Sequence, residues 1–307
     1  MKMSAKPLLS VVIPAYNYAA VLPRAVESVL AQLGDAAAEL IVIDDGSTDD
    51  SRQVLDGLLA AHPGRFRVVH KSNGGASSAR NLGIRETGGD YLIFLDADDE
   101  LAPAALAALR AHLTAQPHTR LVIGGHIAVF ADGKRREHIP AALPEQPFER
   151  LKAYLLDKRL ALSNGACAMH RELFARGDYP EAFRSAEDIP VFAQALANYP
   201  CTLLQQPLVL IHKHDDSLRH QFSHAKAGGL ALVDEVFAPQ RLDARFQGLK
   251  PEFYVQRSLS LFRSAYLAGD VVAAKDYFRA AFKQDLRVLF KVSYVRKALR
   301  VWLGLRA

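Results

Sequence analysis

The first hundred residues alternate between short apolar runs and stretches with helical spacing, and this alternation constrains the fold more than any other feature. The apolar runs rich in β-forming residues predict strands at Leu9–Pro14, Leu40–Ile43, Arg67–His70 and Tyr91–Leu95. The stretches between them predict helices at Val21–Gln32, Ser51–Ala61 and Ser77–Glu86. This order is typical of an α/β fold with a mostly parallel central sheet and crossover helices.

Polar clusters stand where three of these strands end. They are Tyr16-Asn17, Asp44 to Ser47 and Asp96 to Asp99. In open α/β sheets, ligands bind beyond the carboxyl ends of the strands. The acids at 96–99 are suitable oxygen ligands for Mg²⁺ or Mn²⁺, which in turn engage a diphosphate. Three acids in four residues also occur in plain solvated turns, so this cluster alone leaves both interpretations open.

The Asp44 to Ser47 cluster also has two interpretations. Gly46 allows the backbone to approach a ligand, and the two carboxylates can accept hydrogen bonds from a base or a ribose. The alternative is a turn in which Ser47, Thr48 or Asp49 caps the following helix.

The glycine-containing loop at residues 71–81 (KSNGGASSARN) suggests a phosphate cradle but matches neither the P-loop nor the dinucleotide fingerprint. A P-loop ATPase and a Rossmann dehydrogenase are therefore disfavoured. Within the loop, Arg80 is either a contact for a phosphate or an ordinary exposed helix arginine.

The second half has weaker patterns. A helix is predicted at Pro103–Gln116, a strand at Leu121–Phe130 and a hairpin or loop at Asp132-Gly133. Helical patterns then alternate with loops to about His214, and beyond His220 the pattern is helical throughout.

Four blocks together resemble, in order and spacing, the family 2 glycosyltransferases of the GT-A fold, of the bacterial type that builds envelope polysaccharide or lipopolysaccharide. The blocks are residues 10–17 (SVVIPAYN), 41–49 (IVIDDGSTD), 73–83 (NGGASSARNLG) and 89–99 (GDYLIFLDADD). The close resemblance covers Leu8 to Leu101. It implies the GT-A nucleotide-diphospho-sugar transferase fold and transfer of a sugar from a UDP-, dTDP- or GDP-sugar to a hydroxyl, with Mn²⁺ or Mg²⁺ as cofactor.

The resemblance also implies a role for each matched residue on the donor side. Tyr16 stacks on or borders the nucleobase, Asp45 hydrogen-bonds the base, Asp96 contacts the ribose, and Asp98 holds the metal on the diphosphate. Pro14 and Arg80 complete the set of residues expected to bind the donor. Asp44 and Asp99 are supporting acids by the same resemblance, and a turn or helix cap remains the alternative for each.

Two segments of the second half resemble the acceptor side of the family. Ser185 to Phe192 is similar to its Glu-Asp motif, which makes Asp188 the base that deprotonates the acceptor, with Glu187 as its neighbour or substitute, and implies inversion. Acids at a helix N-terminus are the alternative. Ile211 to Ser217 is similar to a Tyr-Arg-x-His-x-x-Ser segment, which makes His214 a metal ligand, while a histidine stands at 212 where arginine is usual.

Charge is unevenly distributed. The net charge is +5, yet residues 283–307 alone hold seven Lys or Arg against one acid. The rest of the chain is close to neutral, which disfavours nucleic-acid binding. Clustered bases among Leu, Phe and Trp in 285–306 are typical of a helix lying on an anionic membrane. A helix packed on the catalytic domain with a solvated basic face is the alternative.

These observations give an expected organisation. Residues 1–220 form the catalytic domain, with a donor half at 1–101 and an acceptor half at 102–220, and residues 221–307 form a helical region. The two cysteines and the absence of a cleavage site or a run of about 20 apolar residues favour the cytoplasm. The membrane interpretation of the tail places the protein on the inner face of the cytoplasmic membrane and favours a lipid-linked or envelope glycan acceptor.

Two other classes stay open at this point. A metal-dependent nucleotidyltransferase also binds nucleoside phosphates through acids on an α/β sheet, but it usually carries a glycine- and lysine-rich loop where this chain has Pro14 to Asn17. A non-catalytic nucleotide-binding protein tethered by its basic tail is the second.

Overall fold

The computed structural model of the protein describes residues 8–34, 37–213 and 222–304. Its strands are β1 Leu9–Ala15, β2 Ala38–Asp44, β3 Arg67–His70, β4 Tyr91–Phe94, β5 Glu100–Leu101, β6 Leu121–Val129, β7 Arg135–His138, β8 Cys167–His170 and β9 Cys201–His212. Its helices are α1 Leu22–Leu30, α2 Ser51–Ala61, α3 Ala76–Glu86, α4 Ala105–Ala115, α5 Pro147–Leu155, α6 Ile189–Asn198, α7 Phe222–Gly228, α8 Ala231–Val236, α9 Lys250–Leu267, α10 Val271–Gln284 and α11 Val292–Trp302.

All strands belong to one sheet, in the order β3-β2-β1-β4-β8-β6-β9-β5, with β7 paired to β6. The four strands β3, β2, β1 and β4 are parallel to one another, as the alternation predicted. In the second half, β6 and β9 are parallel, whereas β8, β7 and β5 pair antiparallel with their neighbours. The result is an α/β fold with a parallel donor side and a mixed acceptor side.

Successive residues of each central strand enter different cores because side chains alternate across a sheet. Val11 of β1 packs with α1, α2 and α4 on one face, whereas Val12 packs with α3 and α6 on the other. Strands β1, β2 and β4 are therefore covered on both faces, which explains their nearly continuous apolar sequences. Polar residues are placed beyond the ends of these strands, where the apolar runs stop.

The second half confirms one local prediction and corrects another. The Asp132-Gly133 turn does join a hairpin of β6 and β7. The expectation of helices and loops up to about His214 is wrong at its end, because the long strand β9 lies there. Pro207 and a polar pair at 205–206 interrupt the apolar pattern of β9, and its pairing with β6 shifts register near Gly125.

Residues 222–304 are helical, as predicted. Helix α8 packs with α5 and α6 in one core, whereas α9, α10 and α11 form a core of their own around Phe262. In the described ranges, every helix is too short or too polar to cross a bilayer.

Candidate active site

The polar clusters after β1, β2 and β4 meet at one edge of the sheet. The chain continues the parallel pairing past the strands, since Asp45 N–H donates to the carbonyl of Ala15 at 2.8 Å and Leu95 N–H donates to that of Val12 at 3.0 Å. Asn17, with a φ of 60°, accepts hydrogen bonds from the amides of Thr48 and Asp49. The loops after β1 and β2 are thereby held together, and Tyr16 beside them is 43% exposed.

Asp45 lies under the glycine loop that precedes α3. It is 2% exposed, and its carboxylate accepts hydrogen bonds from Gly74 N–H at 2.9 Å, Gly75 N–H at 2.6 Å and Lys71 Nζ at 2.6 Å. Oδ1 accepts two of these hydrogen bonds and Oδ2 the third. Asp45 therefore fixes the loop in this structure, and its contact with a base stays a prediction.

Asp44 forms a turn, which was the alternative interpretation of this residue. One oxygen accepts from Ser47 N–H at 3.0 Å, and the other lies 2.8 Å from Nδ1 of His70. Burial acts to raise the pKa of Asp44, but the hydrogen bonds from Ser47 and His70 outweigh it and leave that pKa below its ordinary value. Asp44 thus stabilises the turn that follows β2 and links it to His70 at the end of β3.

The acids at 96–99 combine an exposed and a buried carboxylate. Asp96 has a side chain that is 47% exposed, whereas Asp99 is buried and accepts a hydrogen bond from His212 N–H at 2.9 Å. Burial, together with Asp96 and Asp98, raises the pKa of Asp99 to about 8. Asp99 is therefore mostly protonated at neutral pH, while the negative charge of Asp96 and Asp98 electrostatically favours a cation at this strand end.

His212 also orders this loop through its ring, because Nε2 lies 2.7 Å from the Glu100 carboxylate. The histidine that replaces the usual arginine thus holds the segment that carries the acids. His214, the predicted metal ligand, lies outside the described residues.

Arg80 is buried, and the alternative of an exposed helix arginine is therefore wrong. Only 5% of the residue is exposed, and its guanidinium donates to Asp96 Oδ1 at 3.0 Å and to Glu187 Oε1 at 2.7 Å. These two ion pairs raise the pKa of Arg80 against the effect of burial. Arg80 therefore joins the acids after β4 to the acceptor-side motif, and its predicted phosphate contact stays a prediction.

Asp188 lies at the N-terminus of α6 beside this ion-pair network. Its side chain makes no capping hydrogen bond to the helix, although its N-cap position is one where the helix dipole favours an acid. Burial and the neighbouring Glu187 raise the pKa of Asp188 to about 6, while Arg80 opposes that rise. A carboxylate with such a pKa is mostly ionised at neutral pH yet basic enough to accept a proton.

The donor set around Asp98 fits a divalent cation that is completed by its substrate. Among the described residues, no three His, Cys, Asp or Glu side chains form a ready metal site. Mg²⁺ and Mn²⁺ commonly use only one or two carboxylates and take their other ligands from phosphate and water. The carboxylates of Asp96 and Asp98 meet that requirement.

Several residues of the site escaped prediction. Lys71 pairs with Asp45, and the Arg184 guanidinium lies against Gly75, whose φ is 91°. Asn81 hydrogen-bonds both the carbonyl and the amide of Tyr179. Lys71 and Asn81 stand in the glycine loop block, which gave a signal, whereas Arg184 and Tyr179 lie in a loop with none.

Comparison with known proteins identifies the class. Residues 10–177 match the profile "Glycosyl transferase family 2". The glycosyltransferase EpsJ of Bacillus subtilis is 31% identical over 225 residues, a match that covers 69% of this chain and 63% of EpsJ. The chain thus spans somewhat less than two thirds of that relative.

Two solved structures share the fold. TarS 1–349 of S. aureus in complex with UDP has a TM-score of 0.64 at 18% identity, covering 96% of this chain and 88% of that one. The mannosyltransferase PcManGT of Pyrobaculum calidifontis, in complex with GDP-Man and Mn²⁺, has a TM-score of 0.51 at 20% identity, covering 96% and 87%. With the profile match, these likenesses confirm the GT-A fold, and the chain belongs to glycosyltransferase family 2.

Proposed function

We propose that this chain transfers a sugar from a nucleotide-sugar donor to a hydroxyl of a glycan or lipid-linked acceptor, with inversion. The observation that carries the proposal is the position of Arg80, which contacts the donor-side Asp96 and the acceptor-side Glu187 at once. The strand end suited to a nucleoside diphosphate and the acid suited to an acceptor hydroxyl are thereby brought to one place. A transferase needs both within reach of one anomeric carbon.

The donor half suits a nucleoside diphosphate. The exposed ring of Tyr16 is available to a base, and the half-exposed carboxylate of Asp96 is available to ribose hydroxyls. UDP in the TarS structure and GDP-Man in the mannosyltransferase structure support a UDP- or GDP-sugar, with a dTDP-sugar as the third candidate.

In the reaction, Asp188 takes the proton of the acceptor hydroxyl while the oxygen attacks the anomeric carbon. The bond between that carbon and the diphosphate oxygen breaks, and its electron pair leaves with the nucleoside diphosphate. One displacement from the side opposite the leaving group inverts the anomeric centre. Mn²⁺ or Mg²⁺ bound by Asp98 supplies charge stabilisation for the departing diphosphate.

A product assay separates this proposal from its rivals. UDP-GlcNAc, UDP-glucose, dTDP-glucose and GDP-mannose are each incubated with the enzyme, Mn²⁺ and an extract of bacterial envelope glycolipids. We expect release of a nucleoside diphosphate from one donor and incorporation of its sugar. Release of a sugar 1-phosphate, with transfer of the nucleoside monophosphate, would instead identify a nucleotidyltransferase, and absence of turnover with every donor would contradict sugar transfer.

We also propose that the tail brings the enzyme to an anionic membrane. One side of the 3₁₀ segment Leu286–Phe290 and of α11 packs inward through Val288, Ala298 and Val301. The outward side exposes large apolar residues, namely Leu286, Leu289, Phe290, Val292, Leu299, Trp302 and Leu303, and Phe290 is 84% exposed.

Basic residues surround that apolar side. Arg287, Lys291, Arg296, Lys297 and Arg300 lie in the same segment, and Lys275 and Arg279 of α10 flank the ring of Trp302. Helix α11 is thus packed on the protein, as the second interpretation of the basic tail proposed. Its outer surface has the composition that the first interpretation requires, a helix lying on an anionic membrane. Apolar groups beside clustered cations match an anionic lipid interface.

Sedimentation with vesicles tests the membrane contact. We expect binding to phosphatidylcholine vesicles that contain phosphatidylglycerol, and at least a tenfold loss of binding in Phe290→Ser. Phe130→Ser removes an exposed aromatic residue of the β6–β7 hairpin and serves as the matched control. Equal binding to neutral and anionic vesicles, or an unchanged Phe290→Ser, would refute the proposal.

A further inference from the structure

The buried Arg80 guanidinium is shared between two carboxylates that are far apart in sequence. Asp96 follows β4, and Glu187 immediately precedes the candidate base Asp188. A planar guanidinium can donate to two carboxylates at fixed angles, which a lysine ammonium cannot reproduce. The pairing therefore fixes a geometry as well as a charge.

The surroundings prevent Arg80 from moving independently. Its guanidinium lies 5.4 Å from the centre of the Tyr179 ring, and the Tyr179 hydroxyl donates to Asn164 Oδ1 at 2.7 Å. The next residue on α3, Asn81, donates to the Tyr179 carbonyl at 2.8 Å. Consecutive residues of one helix thus hold the start and the end of the loop that leads to Asp188.

We infer that Arg80 is a positioning residue that ties the donor-side acids to the Glu187–Asp188 pair and keeps the acceptor base ionised. The inference rests on the proposed function, since it assigns Asp188 the role of base. Arg80 acts through Glu187 and through its own charge and does not itself exchange a proton. Because Arg80 also contacts Asp96, a ligand that binds at the donor site acts on the same side chain.

The charges around Asp188 explain the direction of the effect. Glu187 and Asp96 are carboxylates that raise the pKa of Asp188, and Arg80 is the cation that opposes them. Tyr154, Tyr179 and Cys167 also face Asp188, and burial raises the pKa of each of the three, so they are neutral near pH 7. Loss of Arg80 removes the cation that opposes Glu187 and Asp96, so we expect the pKa of Asp188 to rise.

The pH dependence of transfer in three variants tests the inference. In Arg80→Gln, we expect the acidic limb of kcat/KM to move up by about one pH unit, because an adjacent arginine lowers a carboxylate pKa by about that much or more. Arg80→Lys restores part of the shift. Glu187→Gln removes a like charge and moves the limb in the opposite direction, to lower pH.

Arg241→Gln is the matched control. Arg241 is equally buried and pairs with Glu235, and it donates to the carbonyls of Gly177 and Asp178 at the start of the same loop. Its loss therefore perturbs the loop, and we expect a lower melting temperature without a shift of the pH limb. An Arg80→Gln enzyme that is less active by the same factor at every pH would overturn the inference and leave a structural role only.

A cycle of thermal unfolding measurements on Arg80→Gln, Glu187→Gln and the double variant tests the ion pair without any substrate. We expect the double variant to lose less than the sum of the single losses. Additive losses would contradict the pairing. Absence of transfer by the wild-type enzyme would defeat the proposed function instead, so the two failures are distinguishable.

Discussion

The donor side and the acceptor side of the site are built in different ways. On the donor side, Tyr16, Asp45 and the acids at 96–99 follow parallel strands, so the pairing of β1 with β2 and β4 brings them together directly. On the acceptor side, Glu187 and Asp188 end a loop without regular strands, in which Ala186 has a φ of 60°. That loop is placed by side chains of α3. The donor side is therefore fixed by backbone pairing, and the acceptor side by a few buried polar contacts.

The largest effect is expected at the donor side. Asp98→Asn removes the carboxylate proposed to hold the metal, and we expect kcat/KM for transfer to fall by about 10⁴-fold, since the charge stabilisation lost is about 5 kcal/mol. Initial rates of nucleoside diphosphate release measure it. Asp132→Asn, on the exposed β6–β7 turn, is the control that keeps the wild-type rate. A residual rate above about a tenth of wild type would show that Asp98 is dispensable.

On the acceptor side, we expect a substitution to lower the rate of transfer without weakening donor binding. Asp188→Asn removes the proposed base, and we expect kcat to fall by about 10³-fold while the dissociation constant for the nucleotide stays within about twofold. Turnover and calorimetry on the same preparation separate the two quantities. Loss of nucleotide affinity in Asp188→Asn would contradict the division into donor and acceptor sides.

The pH profile of the wild-type enzyme follows from the raised pKa of Asp188. Below about pH 6 this carboxyl is protonated and cannot accept the acceptor proton, so kcat/KM falls about tenfold for each unit of pH below that value. Above about pH 7 the rate reaches a plateau with respect to this group. A rate that is unchanged between pH 5 and 7 would exclude Asp188 as the base.

The smallest effect concerns the glycine loop. Gly75 has a φ of 91° and a ψ of 170°, which side chains rarely adopt, and a Cβ there collides with the Arg184 guanidinium. We expect Gly75→Ala to lower the free energy of unfolding by about 1–3 kcal/mol. Gly57→Ala, in the open middle of α2, is expected to raise it by about 0.5–1 kcal/mol. Urea denaturation measures both changes in the free energy of unfolding. An equal change in the two variants would contradict a positive φ at Gly75.

The same contrast explains how much the sequence could predict. Strands β1 to β4 and the clusters after them were predictable because apolar runs and polar ends are local features. The hairpin at Asp132-Gly133 was predictable from its turn residues. Strand β9 was missed because Pro207 and its polar neighbours mask a strand that only tertiary pairing with β6 stabilises.

The connection between the two sides could not be predicted. Arg80 and Glu187 are 107 residues apart, and nothing in either motif reveals that one buried guanidinium joins them. Arg184 carried no sequence signal either, because a single exposed arginine in an irregular loop is common at protein surfaces. The individual acids were thus identifiable from motifs, whereas their electrostatic relation required the folded chain.

Calorimetric titration with UDP, dTDP and GDP, with and without Mn²⁺, tests the central claim most directly when it is performed on the wild-type protein and on Asp98→Ala. We expect that one nucleotide binds in a metal-dependent manner and that Asp98→Ala abolishes this binding. Absence of binding by all three nucleotides under both metal conditions, or binding that is unchanged in Asp98→Ala, would contradict a nucleotide-sugar site at the end of β4.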